Sequence, residues 1–147
     1  DAMESRGLGD VYKRQDIICA ATTSSTPVLR YQDLKSGVHI NGVGSFQPSM
    51  QEIDSETIKN ALVFVDSRES ALSETGDLTI PIQEGIIGKN HLRAEIGELL
   101  EIPSLGRKTP DEITFFKSCG VAVQDVVAAG MALEQAKKHN LGRIIRM

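Results

Sequence analysis

The sequence predicts an α/β fold with a parallel sheet, on three observations. Short apolar runs at residues 16–21, 38–41 and 61–65 read as buried strands, separated by loops or helices in the manner of parallel pairing with right-handed crossovers. The second run goes straight into a turn of small residues, Gly42-Val43-Gly44-Ser45, where Gly42 and Gly44 free the backbone and Pro48 forbids a helix from following at once. Such an ending is how an open parallel sheet lets a ligand approach its carboxyl edge. Residues 121–139 carry apolar side chains at helical spacing, the longest periodic segment of the chain.

At 147 residues the chain is long enough for one domain with a core. Its net charge of −4 argues against nucleic acid, which is met by basic stripes. No apolar run approaches the ~20 residues that cross a bilayer, and no signal-peptide pattern opens the chain. No membrane association is expected, and the location expected is cytoplasmic. Cys19 and Cys119 stand far apart without metal spacing and are expected as reduced thiols. His39, His91 and His139 have no ligand spacing to one another, so no metal site is expected.

Taken in order, residues 1–15 show neither strand nor helix period, and the composition shifts at Asp16. The part 6–15 resembles a translated sequencing adaptor. Residues 1–15 are therefore set aside as a non-native tail, and the native polypeptide is expected to begin well before Asp16. The run at 16–21 reads as a strand covered on both faces, ending in the hydroxyl loop Thr22-Thr23-Ser24-Ser25-Thr26-Pro27. A polar turn at 33–37 leads into the second strand. Residues 54–60 carry acidic side chains early and Lys59 late, the charge order of a short helix. After the third strand a helix is expected at 68–74, ended by Thr75-Gly76-Asp77. Two more are expected at 82–87 and 92–100, the latter with Ile96, Leu99 and Leu100 on one face. A strand at 113–116 precedes the long helix, whose carboxyl end suits Lys137, Lys138 and His139 before Gly142.

Two strand ends are chemically alike, Thr22-Thr23-Ser24-Ser25 and Val43-Gly44-Ser45, and in a parallel sheet both project from one edge. Hydroxyls and small residues there would line a nucleotide, with backbone N–H groups as donors. Plain loops are also rich in these residues. Gly42-Val43-Gly44 begins like the dinucleotide fingerprint, but the third glycine position is Gln47 and Pro48 interrupts the helix that should open, so it is not a pyrophosphate loop. Ser118, between the fourth strand and the long helix, either caps that helix or helps present N–H groups to an anion. Cys119 has no readable base beside it and reads as a small apolar filler. Glu52, Glu95 and Glu98 read as solvated or structural carboxylates, and Arg107 as a surface anion contact.

Four segments, in order, resemble the ornithine cyclodeaminase/mu-crystallin family. The central one is His39-Ile40-Asn41-Gly42-Val43-Gly44-Ser45-Phe46-Gln47-Pro48-Ser49-Met50-Gln51-Glu52. The others are Asp16-Ile17-Ile18-Cys19-Ala20-Ala21-Thr22-Thr23-Ser24, then Ala94-Glu95-Ile96-Gly97-Glu98, then the stretch from Thr114 to Asp125. Together they span Asp16 to about Gly142.

The resemblance implies the later half of a Rossmann-type NAD(P)-binding sheet over residues 16–108. It assigns the strand and helix of 109–147 to a substrate and dimerisation domain. It places the glycine-rich phosphate loop, and the lysine and arginines that hold a substrate carboxylate, upstream of this chain. Implied cofactor contacts are Thr22, Ile40, Asn41, Gly42, Val43 and Ser118, with Phe46 and Cys119 beside the substrate. The implied cofactor is NAD or NADP, the substrate a small amino or imino acid, and the full-length assembly a homodimer. One departure matters. Where ornithine cyclodeaminases carry an aspartate that moves a proton, this chain has Phe46, which moves none, so no catalytic residue is expected in this fragment. The Gly44-Ser45-Phe46 form is similar to reductase members that deliver hydride to a cyclic imine such as pyrroline-2-carboxylate. The alternatives are ornithine cyclodeamination or alanine dehydrogenation with another acid in the missing place, or a crystallin-type binding protein without turnover. Little catalysis is expected of the chain alone, and an exposed sheet edge would weaken it.

Overall fold

The computed structural model describes residues 11–143 and 145. Its centre is a sheet of five strands, β1 (Ile17–Ala20), β2 (His39–Gly42), β3 (Leu62–Val65), β4 (Leu92–Glu95) and β5 (Thr114–Lys117). They run in the order β1-β2-β5-β3-β4, every neighbouring pair parallel. The last row at the carboxyl edge is Ala20, Gly42, Lys117, Val65 and Glu95. The connecting helices are α1 (Ser55–Asn60), α2 (Arg68–Glu74), α3 (Gly76–Gln83) and α4 (Ile96–Glu101), and α5 (Ala122–Lys138) follows the last strand.

Strand alternation sorts the side chains. Ile18, Val38, Ile40, Val63, Val65 and Phe115 are buried with Ile53, Ile58 and Leu78 in one cluster. The first strand, expected to be covered on both faces, is covered on one. Ile18 and Ala20 are buried, while Ile17 is 62% exposed and Cys19 lies open, because no described element packs on that face of the edge strand. The helix expected over 54–60 from its charge order is α1, which Asp54 caps by accepting from the Thr57 N–H at 2.9 Å, and Ser67 caps α2.

Three expectations need correction. The segment 92–100 is a strand followed by a short helix, because Leu92 and Ala94 are buried in alternation with exposed Arg93, a period of two that a helical reading overlooks. The helix expected at 82–87 is α3, which starts six residues earlier. Thr75, expected as part of a stop, caps it by accepting from the Asp77 N–H, and Gly76 packs so closely on the Pro48 and Met50 carbonyls that a Cβ would collide. Gly85, with φ at +70°, turns the chain away instead. Thirdly, β5 does not stand apart from residues 16–108. It occupies the middle of their sheet, paired with β2 on one side and β3 on the other, since its apolar residues need cover on both faces.

Of the segment set aside as a tail, residues 1–10 lie outside the described residues. Val11 and Tyr12 are helical, and Tyr12 packs against the core cluster.

Candidate active-site edge

Parallel pairing brings the turns after β1, β2, β3 and β5 to one edge of the sheet. The turn after β2 is built by close approach. A Cβ on Gly42 would lie 2.7 Å from the Phe115 ring, and one on Gly44 would strike the Thr22 backbone and the Glu52 carboxylate. Neither glycine has a positive φ, so the missing side chain matters here and the left-handed backbone does not.

Glu52 is fully buried. Its carboxylate accepts from the backbone N–H groups of Thr22, of Gly44 at 2.7 Å and of Ser45 at 3.1 Å, and so ties the loop after β1 to the loop after β2. These are donors that the sequence offered to a nucleotide; they are already engaged. Ser45 donates its hydroxyl to the Met50 carbonyl at 2.6 Å and sits 2.8 Å from the Thr75 hydroxyl.

Behind Glu52 stands a buried ion pair. The N–H groups of Glu52 and Ile53 donate to Asp77 Oδ1 at 2.7 and 3.1 Å, and Asp77 Oδ2 lies 3.6 Å from Lys117 Nζ, both side chains fully buried. Burial pushes the Asp77 carboxyl above its ordinary range, against the pull of the Ile53 N–H, the Lys117 charge and the Glu52 N–H.

A second carboxylate organises the turn after β5. Asp66, at the end of β3, accepts on Oδ2 from the Ser118 hydroxyl at 3.1 Å and from the N–H groups of Cys119 and Gly120, each at 2.8 Å. Ser118 therefore does not cap α5, whose N-cap is Val121 without a side-chain bond. Cys119 packs against the core, and burial, helped by the Asp66 charge, pushes its thiol up to about 11. A thiol so raised is protonated at neutral pH, as suits an apolar filler.

The remaining singled-out groups are structural. His39 is 2.8 Å from the Thr114 hydroxyl and 3.2 Å from Asn41 Oδ1, and His91 is 2.8 Å from the Ile58 carbonyl. Arg107, expected as a surface anion contact, donates to the Val38 carbonyl and the Thr114 hydroxyl, because its guanidinium fork reaches the entry of two strands. Glu98 pairs with Arg68 and accepts from the Glu95 N–H, which together hold its carboxyl below the ordinary range.

Of the residues implied as contacts, Thr22, Val43, Phe46, Ser118 and Cys119 lie on the turns that follow the neighbouring strands β1, β2 and β5 at this edge. Thr22 is exposed, Val43 is 51% and Phe46 56% exposed, and the other two are half-buried. Strand alternation turns the side chains of Ile40 and Asn41 elsewhere, and Gly42 has none. Ile40 is buried in the core, Gly42 is enclosed beside Phe115, and Asn41 turns to the opposite face, bonding Cys19 and His39. The side chains that stay at the edge are neutral, hydroxyl or apolar, with both carboxylates spent on backbone donors. Such a set suits a flat, weakly polar ring better than a phosphate. Glu52, Asp66, Asp77 and Lys117 escaped the sequence reading as a group. The available signal was a charge after apolar residues, as in Phe115-Phe116-Lys117.

A parallel α/β sheet with neutral turns at its carboxyl edge belongs to the open α/β proteins, which bind their ligands at that edge. Within that class, residues 5–140 match the family model of the Ornithine cyclodeaminase/mu-crystallin family, and the chain belongs to that family. The match opens inside the segment set aside as a tail. The chain is 38% identical to Thermococcus litoralis Delta(1)-pyrroline-2-carboxylate reductase, solved in complex with NADH and L-proline, with a TM-score of 0.87 over 93% of this chain and 42% of that one. It is 36% identical to an archaeal alanine dehydrogenase dimer with bound NAD, with a TM-score of 0.80 over 90% of this chain and 41% of that one. Among curated sequences, Bacillus cereus Delta(1)-pyrroline-2-carboxylate reductase is 47% identical over 131 residues, 88% of this chain and 40% of that protein. The chain thus spans about two fifths of the length of the relatives it matches.

Proposed function

We propose that the full-length protein is an NAD(P)H-dependent reductase of a cyclic imino acid of the pyrroline-2-carboxylate type, and that this chain supplies the nicotinamide side of its site. The observation that carries the reading is Phe46. It stands exposed on the edge, and the family resemblance implies that this is the position where cyclodeaminases carry their proton-transferring aspartate. The acids nearest in the fold do not replace it: Glu52 and Asp77 are fully buried, and Glu52, Asp66 and Asp77 are each bonded to backbone N–H groups. Imine reduction needs no carboxylate at this point, whereas cyclodeamination does.

When bound, NAD(P)H would supply the hydride for the imine carbon. The residues of this chain would position and exclude water. Phe46 offers an apolar wall, Thr22 and Val43 flank the turn, and the half-buried Ser118 and Cys119 close the other side with a neutral thiol. A cytoplasmic location and a homodimeric assembly of the full-length protein belong to the same proposal, the dimer supported by the dimeric state of the archaeal relative.

The test is a direct assay of the full-length protein. Pyrroline-2-carboxylate should cause loss of the absorbance of NADH or NADPH with formation of proline. Release of ammonia from ornithine, with no oxidation of reduced cofactor by the imine, would sink the reading.

A further inference from the structure

We propose that Glu52 is a positioning residue, the buried staple that sets the nicotinamide-facing turn against the loop after β1. The inference rests on the reductase reading for its catalytic consequence, and on geometry alone for the staple. Thr22 belongs to one loop, and Gly44 and Ser45 to another, twenty-two residues further on. Their three N–H groups converge on one carboxylate that solvent does not reach.

A carboxylate accepting several backbone donors is a charge-assisted bond set with defined directions, stronger and more rigid than neutral equivalents. Gly44 allows the approach, since any side chain there would enter the space between Thr22 and Glu52. Glu52 is itself held from behind. Its N–H donates to Asp77, at the start of α3, and Asp77 faces Lys117 on the central strand. A continuous path therefore runs from the middle of the sheet, through Asp77 and Glu52, to Gly44 and Ser45, the two residues between Val43 and Phe46. Ser45 adds a lateral brace through Met50 and Thr75. The bonds of this path are buried or partly buried, which favours a turn ordered before a ligand arrives. Pre-organisation of this kind is what hydride transfer requires, because a displacement of roughly 1 Å at the reacting atoms costs up to about a hundredfold in rate.

Two variants of the full-length protein test the assignment, Glu52→Gln and Glu52→Asp. Gln keeps one acceptor oxygen and presents an NH2 group to a donor, so at least one of the three N–H groups loses its partner. Gly44 and Ser45 share one carboxylate oxygen and Thr22 takes the other, so the Gln oxygen keeps two donors by facing Gly44 and Ser45, and in E52Q the Thr22 amide proton resonance should move upfield and its exchange should quicken. With pyrroline-2-carboxylate, kcat should fall about ten- to a hundredfold. The primary deuterium isotope effect from 4-deuterated NADH should rise as hydride transfer becomes limiting. E52D retains the charge on a shorter arm and should recover part of kcat. A role confined to stability would lower the melting temperature of E52Q and leave the isotope effect at the wild-type value, and that outcome overturns the proposal. If E52Q does not fold, E52D decides alone: an unchanged isotope effect and unchanged Thr22, Gly44 and Ser45 resonances overturn it. Should the wild-type protein fail to oxidise NADH with the imine, the reductase reading falls, while the amide resonances still judge the staple.

Discussion

Cys119 shows how far a single residue can be read. Its neighbours in the sequence, Ser118 and Gly120, gave no hint of a base, and the filler reading followed from that absence. The structure supplies the cause: burial and the Asp66 carboxylate both disfavour the thiolate, and the Lys117 charge offsets them only in part. The pH dependence of alkylation should therefore be displaced. Labelling of Cys119 by iodoacetamide, followed by mass spectrometry, should inflect near 11, and the exposed Cys19 should be labelled first at neutral pH. An inflection near the free-thiol value of about 8.5 would contradict the burial argument. Asp66 was not legible in this way. Its partners lie more than fifty residues downstream, and only the pairing of β3 with β5 brings them within reach.

Among the elements, the ones legible in sequence were those whose local signals agreed. The first two helices have side-chain caps in the chain itself, the first of them with the charge order as well, and the strands 16–21, 38–41 and 61–65 are bounded by turns. The strand at Leu92–Glu95 was misread because four residues with two apolar positions fit either period. The helix α5 was placed within one residue at each end, yet its apolar stripe finds no cover. Val123, Val126, Val127, Met131 and Leu133 are all exposed, and none of the helix's residues is buried. A helix of this length without packing is marginal in water. In the 147-residue chain, amides of α5 should exchange with deuterium orders of magnitude faster than those of Ile40 and Phe115. Hydrogen exchange read by mass spectrometry or NMR checks this. Protection of Val126 to Leu133 equal to that of β2 would show that the stripe is covered in solution.

For the molecule as a whole, the order β1-β2-β5-β3-β4 decides what the chain can carry at its centre. No sequence pattern announces that the last strand inserts between the second and third, because insertion depends on which faces remain uncovered after the others pair. That insertion places the Lys117 ammonium in the core, where it needs the Asp77 carboxylate. Removing one member of such a pair costs about 3–5 kcal/mol when the survivor stays charged. Asp77 has an escape that limits the loss. Burial already raises its pKa above the ordinary 3.8, and Lys117 is one of the influences that lower it. A Lys117→Met substitution removes that influence, so the carboxyl rises further and takes up a proton more readily. With a raised folded pKa the native state binds the proton where the unfolded state has lost it, and stability then falls as pH rises from 3.8 through the folded value. The substitution widens that window. The stability gap between K117M and wild type should therefore widen as pH rises from mildly acidic to mildly alkaline values. Exposed acids such as Asp16, Glu98 and Glu112 titrate alike in both proteins and cancel in the difference. Urea midpoints measured on both proteins across that range give the result. A gap that stays constant, or that closes as pH rises, would mean that Asp77 does not answer to Lys117.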